Sequence, residues 1–282
     1  MKNSSDKFDD FDPGRMHVWE SQVLQGIEEN LSSLHPLNND WLVRCYSTVS
    51  STMDVGHELL EDVSPGRPGL VLAKEQTKGR GRQGRSWESA ATGFYATYCF
   101  AVPDNVQNIF SFPLVVACAL AEMFESFGLK VCVKWPNDIL SREGEKLSGI
   151  LVELVQEKGF YYVLVGVGVN LLGEPKNLQS TSLFSLTGRQ FSPPHIAVEL
   201  SERLALSLAR LEENGFIYFK ENWLERAWHL NEKLTVHVSD ELITGTFRGL
   251  NDLGHLLLEI DGEVKEISSG IVMGGGVNVA DS

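Results

Sequence analysis

Twelve residues from Lys74 to Arg85, KEQTKGRGRQGR, set five cations (Lys74, Lys78, Arg80, Arg82 and Arg85) against the single carboxylate of Glu75. Within Gly79-Arg80-Gly81-Arg82-Gln83-Gly84-Arg85, glycines alternate with arginines. Glycine lets backbone N–H groups turn toward an anion, and arginine adds a forked set of donors matched to phosphate or carboxylate. The combination suits a loop wrapped around an anion. By itself it also fits a solvated basic loop or an Arg/Gly stretch that binds RNA.

Three more segments could do chemistry. In Val133-Lys134-Trp135-Pro136-Asn137-Asp138 a lysine ends a strand and a proline-stiffened turn carries an amide and a carboxylate. That could set a cation on a phosphate and an oxygen ligand near Mg²⁺, although Pro-Asn-Asp is also ordinary turn chemistry. Lys146-Leu147-Ser148-Gly149-Ile150-Leu151-Val152-Glu153 carries a lysine into a nearly all-apolar strand, where a snorkelling surface lysine is the alternative. Gly166-Val167-Gly168-Val169-Asn170 puts glycines into a strand that ends in an amide, a pattern of close approach by a ligand or another backbone.

The elements that must position these residues follow from periodicity and punctuation. Trp41–Tyr46, Gly69–Glu75, Phe94–Val102, Val131–Trp135, Gly149–Gln156 and Phe160–Asn170 read as strands. Ser50-Ser51-Thr52 can cap a helix running to about Asp62. Phe110–Phe127 is apolar at helical spacing and stops at Gly128, and helices are expected over His195–Asn214 and Phe216–Leu230. Strands and helices are grouped rather than strictly alternating, so the expected class is α+β with a mixed, largely antiparallel sheet. Residues 232–282 differ in character. Leu234–Val238, Leu242–Leu250, His255–Ile260 and Glu263–Ile267 are short strands between turns, Asp261-Gly262 is a hairpin signal, and a small β-barrel is the natural reading. Residues 41–231 then form the main domain. Residues 1–40 form an acidic, weakly patterned extension with one helix around His17–Leu34, and Met273–Ser282 a flexible end.

The whole chain has 282 residues and a net charge of −14. That charge argues against broad non-specific binding to DNA or to anionic membrane, which needs a basic face. Residues 1–40 are too short and too acidic for a DNA-reading helix-turn-helix. No signal-peptide pattern opens the sequence and no apolar run is long enough to span a bilayer, so a cytoplasmic protein is expected. The four cysteines, Cys45, Cys99, Cys118 and Cys132, lack metal-site spacing, and three lie in apolar segments as reduced core thiols.

Taken in order, the four segments are specific where each alone is not. GRGRxGR-x-W, KWPND, K-L-x-G-I-L-V-E and G-x-G-x-N, preceded by a Ser-Thr pair at a helix start, resemble the catalytic domain of biotin–protein ligases in the form without a DNA-binding domain. The likeness runs over about residues 41–270, including a tail similar to the family's small SH3-like C-terminal barrel. It implies a catalytic domain similar to class II synthetases. It also implies an ATP-dependent ligase that forms biotinyl-5′-AMP and transfers biotin to a lysine of a biotin carboxyl carrier protein or domain.

Carried over by motif, the resemblance makes Ser51, Thr52, Met53, Gln76, Gly79, Arg80, Gly81, Arg82, Tyr95, Lys146, Gly149 and Leu151 biotin-binding. It turns Arg80, Arg82, Arg85, Trp87, Lys134, Asn137, Lys146 and Asn170 toward ATP or the adenylate, and gives Lys146, Arg82 and Lys134 the catalytic work. Asp138 would help to place Mg²⁺. The family usually has asparagine after the Ser-Thr pair, where this sequence has Met53, so only a backbone contact carries over there. A lipoate or octanoate transferase shares the expected fold, and the arginine loop together with KWPND favours biotin. Related enzymes often pair through the catalytic sheet, which makes a homodimer one expectation.

Overall fold

The computed structural model describes residues 13–30, 40–89, 92–102, 109–173 and 179–273. Its framework is a seven-stranded sheet built from β1 (Leu42–Val49), β2 (Gly69–Gln76), β3 (Gly93–Val102), β4 (Cys132–Lys134), β5 (Asp138–Leu140), β6 (Lys146–Glu157) and β7 (Phe160–Asn170), in the order β1-β2-β3-β7-β6-β5-β4. Only β1 and β2 run parallel; every other neighbouring pair is antiparallel. The expected mixed, largely antiparallel sheet is therefore present, with two differences. β5 lies where the sequence suggested only a turn, and β6 starts before the expected Gly149, at Lys146, the lysine that the third motif carries into the strand.

Alternation divides the sheet into two faces. On one, Leu70, Leu72, Phe94, Ala96, Tyr98, Val163 and Val165 meet α1 (Pro13–Asn30), α3 (Phe112–Ser126) and α5 (Pro193–Asn214) in the main core. α3 carries buried apolar side chains around its whole circumference, as a helix enclosed by other elements must. Its apolar stretch, Ile109–Ser126, could cross a membrane by length and composition, but most of it is buried inside the protein. α3 starts with a proline in its first turn and gives way to Gly128 at φ 88°, a left-handed conformation that glycine adopts without a Cβ clash. α1 spans part of the helix expected over His17–Leu34. Val23 and Ile27 are fully buried, and Glu20 Oε1 accepts the Cys45 N–H of edge strand β1 at 3.0 Å.

On the other face, α2 (Thr52–Leu59) covers Val71, Cys99, Tyr162 and Leu164. α2 starts where the sequence placed it, with Ser51 as N-cap accepting the Met53 N–H. It covers only half of that face; the other half is open toward the paired ends of β6 and β7.

The C-terminal sheet, with β8 (Lys233–Val238), β9 (Glu241–Leu250), β10 (Leu256–Ile260), β11 (Glu263–Ile267) and β12 (Ile271–Val272), is antiparallel in the order β11-β10-β9-β8-β12. Asp261 and Gly262 both have positive φ, as a two-residue hairpin of the primed type requires. Leu234, Val236, Phe247, Leu256 and Leu258 join the main core, so the small sheet shares one hydrophobic interior with the large one. α6 (Ile217–Leu224) is shorter than expected, because residues 225–230 form turns that lead into β8. The short α4 (Leu183–Thr187) was not signalled. Cys45, Cys99, Cys118 and Cys132 are free thiols; burial is the first cause that pushes the first three up to about 12, so they are inert at neutral pH. The expected glycine-rich end at 274–282, and residues 1–12 and 31–39 of the extension, lie outside the described residues.

Candidate active site

A cleft of about 370 Å³ opens on the uncovered half of the α2 face. Its floor depends on the absence of side chains. Gly149 and Gly168 are register partners on β6 and β7, and a Cβ at either would sit 2.6 Å from the Trp87 ring. The two glycines thus form a platform on which the indole rests. Gly166 does the same for Met53, whose sulfur would be 2.7 Å from an added Cβ. The strand glycines of the fourth motif make room for side chains that line the cleft.

The end of the cleft at the start of α2 is polar. Gln76 Oε1 accepts from the Thr52 backbone N–H at 2.8 Å and from Thr52 Oγ1 at 3.2 Å, while Thr97 Oγ1 donates to Thr52 Oγ1 at 2.9 Å. Gln76 Nε2 donates to Ser89 Oγ at 3.2 Å. Ser51 Oγ accepts the Met53 N–H, leaving its own O–H to donate into the cleft at a helix N-terminus.

The opposite end gathers cations. Arg82, Arg85, Lys134 and Lys146 all line the cleft, and Asp138 is the carboxylate beside Arg82, Lys134 and Lys146. Lys146 Nζ lies 2.7 Å from Asp138 Oδ1, an ion pair out of hydrogen-bond alignment, and 5.4 Å from the centre of the Trp87 ring. Burial lowers the Lys134 ammonium below the usual lysine range; Asp138 opposes the shift, and Lys146 and Arg85 add to it. Burial lowers Arg82 as well, against the attraction of Asp138 and together with the repulsion of Arg85. One carboxylate cannot neutralise this set, so the cation end favours a polyanion.

The arginine loop roofs the cleft. Trp87 N–H donates to Gly79 O, Gly81 N–H to Arg85 O and Arg85 N–H to Arg82 O, which closes the loop on itself. Gln83 at φ 54° and Gly84 at φ 72° make its tip. Arg82 Nη1 reaches across to Asn137 Oδ1 at 3.2 Å, and Asn137 Nδ2 donates to Ile150 O at 2.7 Å. The Arg80 guanidinium turns outward to Asp54 and Glu153. Trp87 Nε1 is buried against Gly168 with no hydrogen-bond partner among the described residues.

Most of the residues singled out from the sequence therefore line one cleft: Ser51, Thr52, Met53, Gln76, Arg80, Gly81, Arg82, Arg85, Trp87, Lys134, Asn137, Asp138, Lys146, Gly149 and Leu151. Three are not among its lining residues. Gly79 is the base of the loop, where a Cβ would lie 2.6 Å from Trp87 O. Tyr95 is buried behind the polar end and hydrogen-bonds Ser89, supporting Gln76 without walling the cleft; burial raises its hydroxyl well above the usual tyrosine range. Asn170 is also buried. Its Nδ2 donates to Lys146 O at 3.2 Å and to Thr181 O at 3.0 Å, so it holds the start of β6 in place. Sequence reasoning missed Gly270, Ile271, Val272 and Met273, which bring the C-terminal sheet to the cleft.

The biotin/lipoate A/B protein ligase family matches residues 45–170, and the biotin protein ligase C-terminal domain matches residues 229–273. The chain is 33% identical over 212 residues to a biotin–[acetyl-CoA-carboxylase] ligase of Paracoccus denitrificans, covering 70% of this chain and 87% of that protein. It is 27% identical over 266 residues to the bifunctional ligase/repressor BirA of Bacillus subtilis, covering 91% and 78%. Among solved structures, the biotin protein ligase from Aquifex aeolicus in complex with biotin and ATP aligns with a TM-score of 0.70 at 30% identity, over 82% of this chain and 97% of that one.

Proposed function

The chain belongs to the biotin/lipoate A/B protein ligase family, and from that premise we infer how its cleft divides the work of a biotin–protein ligase. The enzyme activates biotin with ATP and modifies carrier proteins of biotin-dependent carboxylases. The observation that carries the division of labour is the cleft's polarity. It has a neutral hydrogen-bonding end at α2, a glycine and tryptophan trough, and a four-cation end around Asp138.

In this reading Ser51, Thr52 and Gln76 take the ureido ring, and Met53, Trp87 and Leu151 wall its apolar part. The biotin carboxylate then lies toward Lys146. A carboxylate oxygen attacks the α-phosphorus, the bond to the bridging oxygen breaks, and pyrophosphate leaves with that electron pair. The reaction brings anions together, so fixed positive charge is needed where the phosphorane forms. Lys146 bridges carboxylate and α-phosphate, while Arg82, Arg85 and Lys134 hold the departing phosphates. Asp138, with substrate phosphates, suits Mg²⁺, which is commonly held by only one or two carboxylates, and the ion would supply further charge neutralisation there. In the second step the carrier's lysine amine attacks the mixed-anhydride carbonyl, AMP leaves, and the nitrogen loses its proton. The roof formed by the loop keeps water from that anhydride.

The same reading places the enzyme in the cytoplasm with a carboxylase carrier as its partner, and with neither DNA nor membrane, in keeping with its charge of −14. Residues 151–157 of β6 carry no strand partner on the β5 side among the described residues, an edge suited to pairing with a second copy. ATP–pyrophosphate exchange with biotin, lipoate, octanoate and no acid tests the activation step. Exchange with biotin alone is expected; exchange with lipoate in its place would move the enzyme to the lipoyl branch.

A further inference from the structure

Arg80 belongs to the loop that roofs the cleft, yet its guanidinium points away from the cation cluster. Nη1 donates to Asp54 Oδ1 on α2 at 3.1 Å, and Nη2 donates to Glu153 Oε1 on β6 at 2.5 Å. Both carboxylates are fixed from behind. Ser50 Oγ donates to Asp54 Oδ2 at 3.0 Å, and His57 Nε2 lies 2.8 Å from Glu153 Oε2. One planar fork thus bridges two elements that flank the polar end of the cleft. A guanidinium can span two carboxylates in this way, whereas an ammonium acts as a point charge. Among the described residues the other arginines of the loop show no such clasp: Arg82 reaches the neutral Asn137.

We propose that Asp54 and Glu153 are positioning residues that clasp Arg80 and so hold the Gly79–Trp87 loop over the cleft before substrate arrives. Neither acts on the reacting atoms. The clasp lowers the ordering needed when the ligand binds, which is how preorganisation raises affinity and retention. It also divides the loop in function: Arg80 fixes its base, while Arg82 and Arg85 stay available for phosphate. What the loop covers rests on the biotin-ligase reading; that the clasp holds it closed does not.

The test is limited trypsin digestion of the whole unliganded protein, with the first cut mapped by mass. In Asp54→Asn/Glu153→Gln, which keeps shape and removes charge, cleavage within residues 80–85 is expected to be about fivefold faster than in wild type. Exposed ion pairs have about that worth, and cleavage follows the open population. Arg80→Lys is expected to lie between the two. Biotinyl-adenylate should leave the double variant about fivefold faster, with the melting temperature within about 2 °C of wild type. Unchanged cleavage, or first cuts outside the loop, overturns the proposal. Accelerated loop cleavage that neither biotin nor ATP slows in any variant leaves the clasp standing and removes the biotin reading.

Discussion

In the proposed division of labour activation turns on Lys146, which lies over Gly149 beside Trp87 with its ammonium against Asp138. Lys146→Ala is expected to slow adenylate formation by about 10²-fold, the order found when one preorganised transition-state donor is lost; a pre-steady-state adenylation rate near that of wild type would contradict the role. Lys134 gives a pH signature. Its pKa is lowered, first by burial, so as pH rises it loses its charge before an ordinary lysine would. Bound triphosphate favours the charged form, so ATP binding takes up a proton in that alkaline window and weakens above it. Lys134→Arg, which stays charged, should carry the alkaline limb of ATP affinity to higher pH. Titrations of ATP affinity against pH for the two proteins would check this. At this scale the sequence was legible wherever a motif fixed both residue type and direction. It was silent on direction for Tyr95 and Asn170, since nothing in a strand's residue types says whether an amide turns to a ligand or to its neighbour's carbonyl.

Among the elements, the arginine loop holds the most consequence per residue. Arg82 ties its tip side to Asn137 in the turn between β4 and β5. Arg82→Gly removes that tie and adds backbone freedom, so free biotinyl-adenylate is expected to escape faster, and a filter-binding chase would show the intermediate lost sooner than in wild type. The strands and helices that build the cleft could be placed from alternation and caps, as Ser51 at α2 shows. β5 was hidden because its first residue is the aspartate of a Pro-Asn-Asp turn and only three residues pair. β12 was hidden because it is two residues long beside a glycine tract. Such elements exist only through their partners, Asp138 against Gly149 and Val272 against Val236, and pairing between distant segments leaves no local pattern.

For the molecule as a whole, one interior joins parts that the sequence presented as separate. α1, expected as part of an acidic extension, inserts Val23 and Ile27 into the main core. Ile27→Ala is expected to cost about 2–4 kcal/mol, lowering the melting temperature by several degrees in a thermal denaturation scan. A change within about 1 °C would mean that the helix does not contribute to the stability of the folded body. The C-terminal sheet is joined just as firmly. Trp135 Nε1–H donates to Gly254 O at 3.1 Å, and Val133 exchanges backbone bonds with Arg226 and Trp228. The turn carrying Lys134 and Asp138 is thereby braced by residues 93 to 119 positions further along the chain.

Gly270–Met273 form the last piece of the cleft wall and follow every other lining residue in the chain. During synthesis at about 5–20 residues per second, the ribosome delivers the loop, the lysines and Asp138 several seconds before it delivers β12. A chain still short of β12 therefore carries every activating group in its sequence before one side of the chamber has been built. Completion of the wall is the step that turns a folding chain into one able to keep a hydrolysable anhydride.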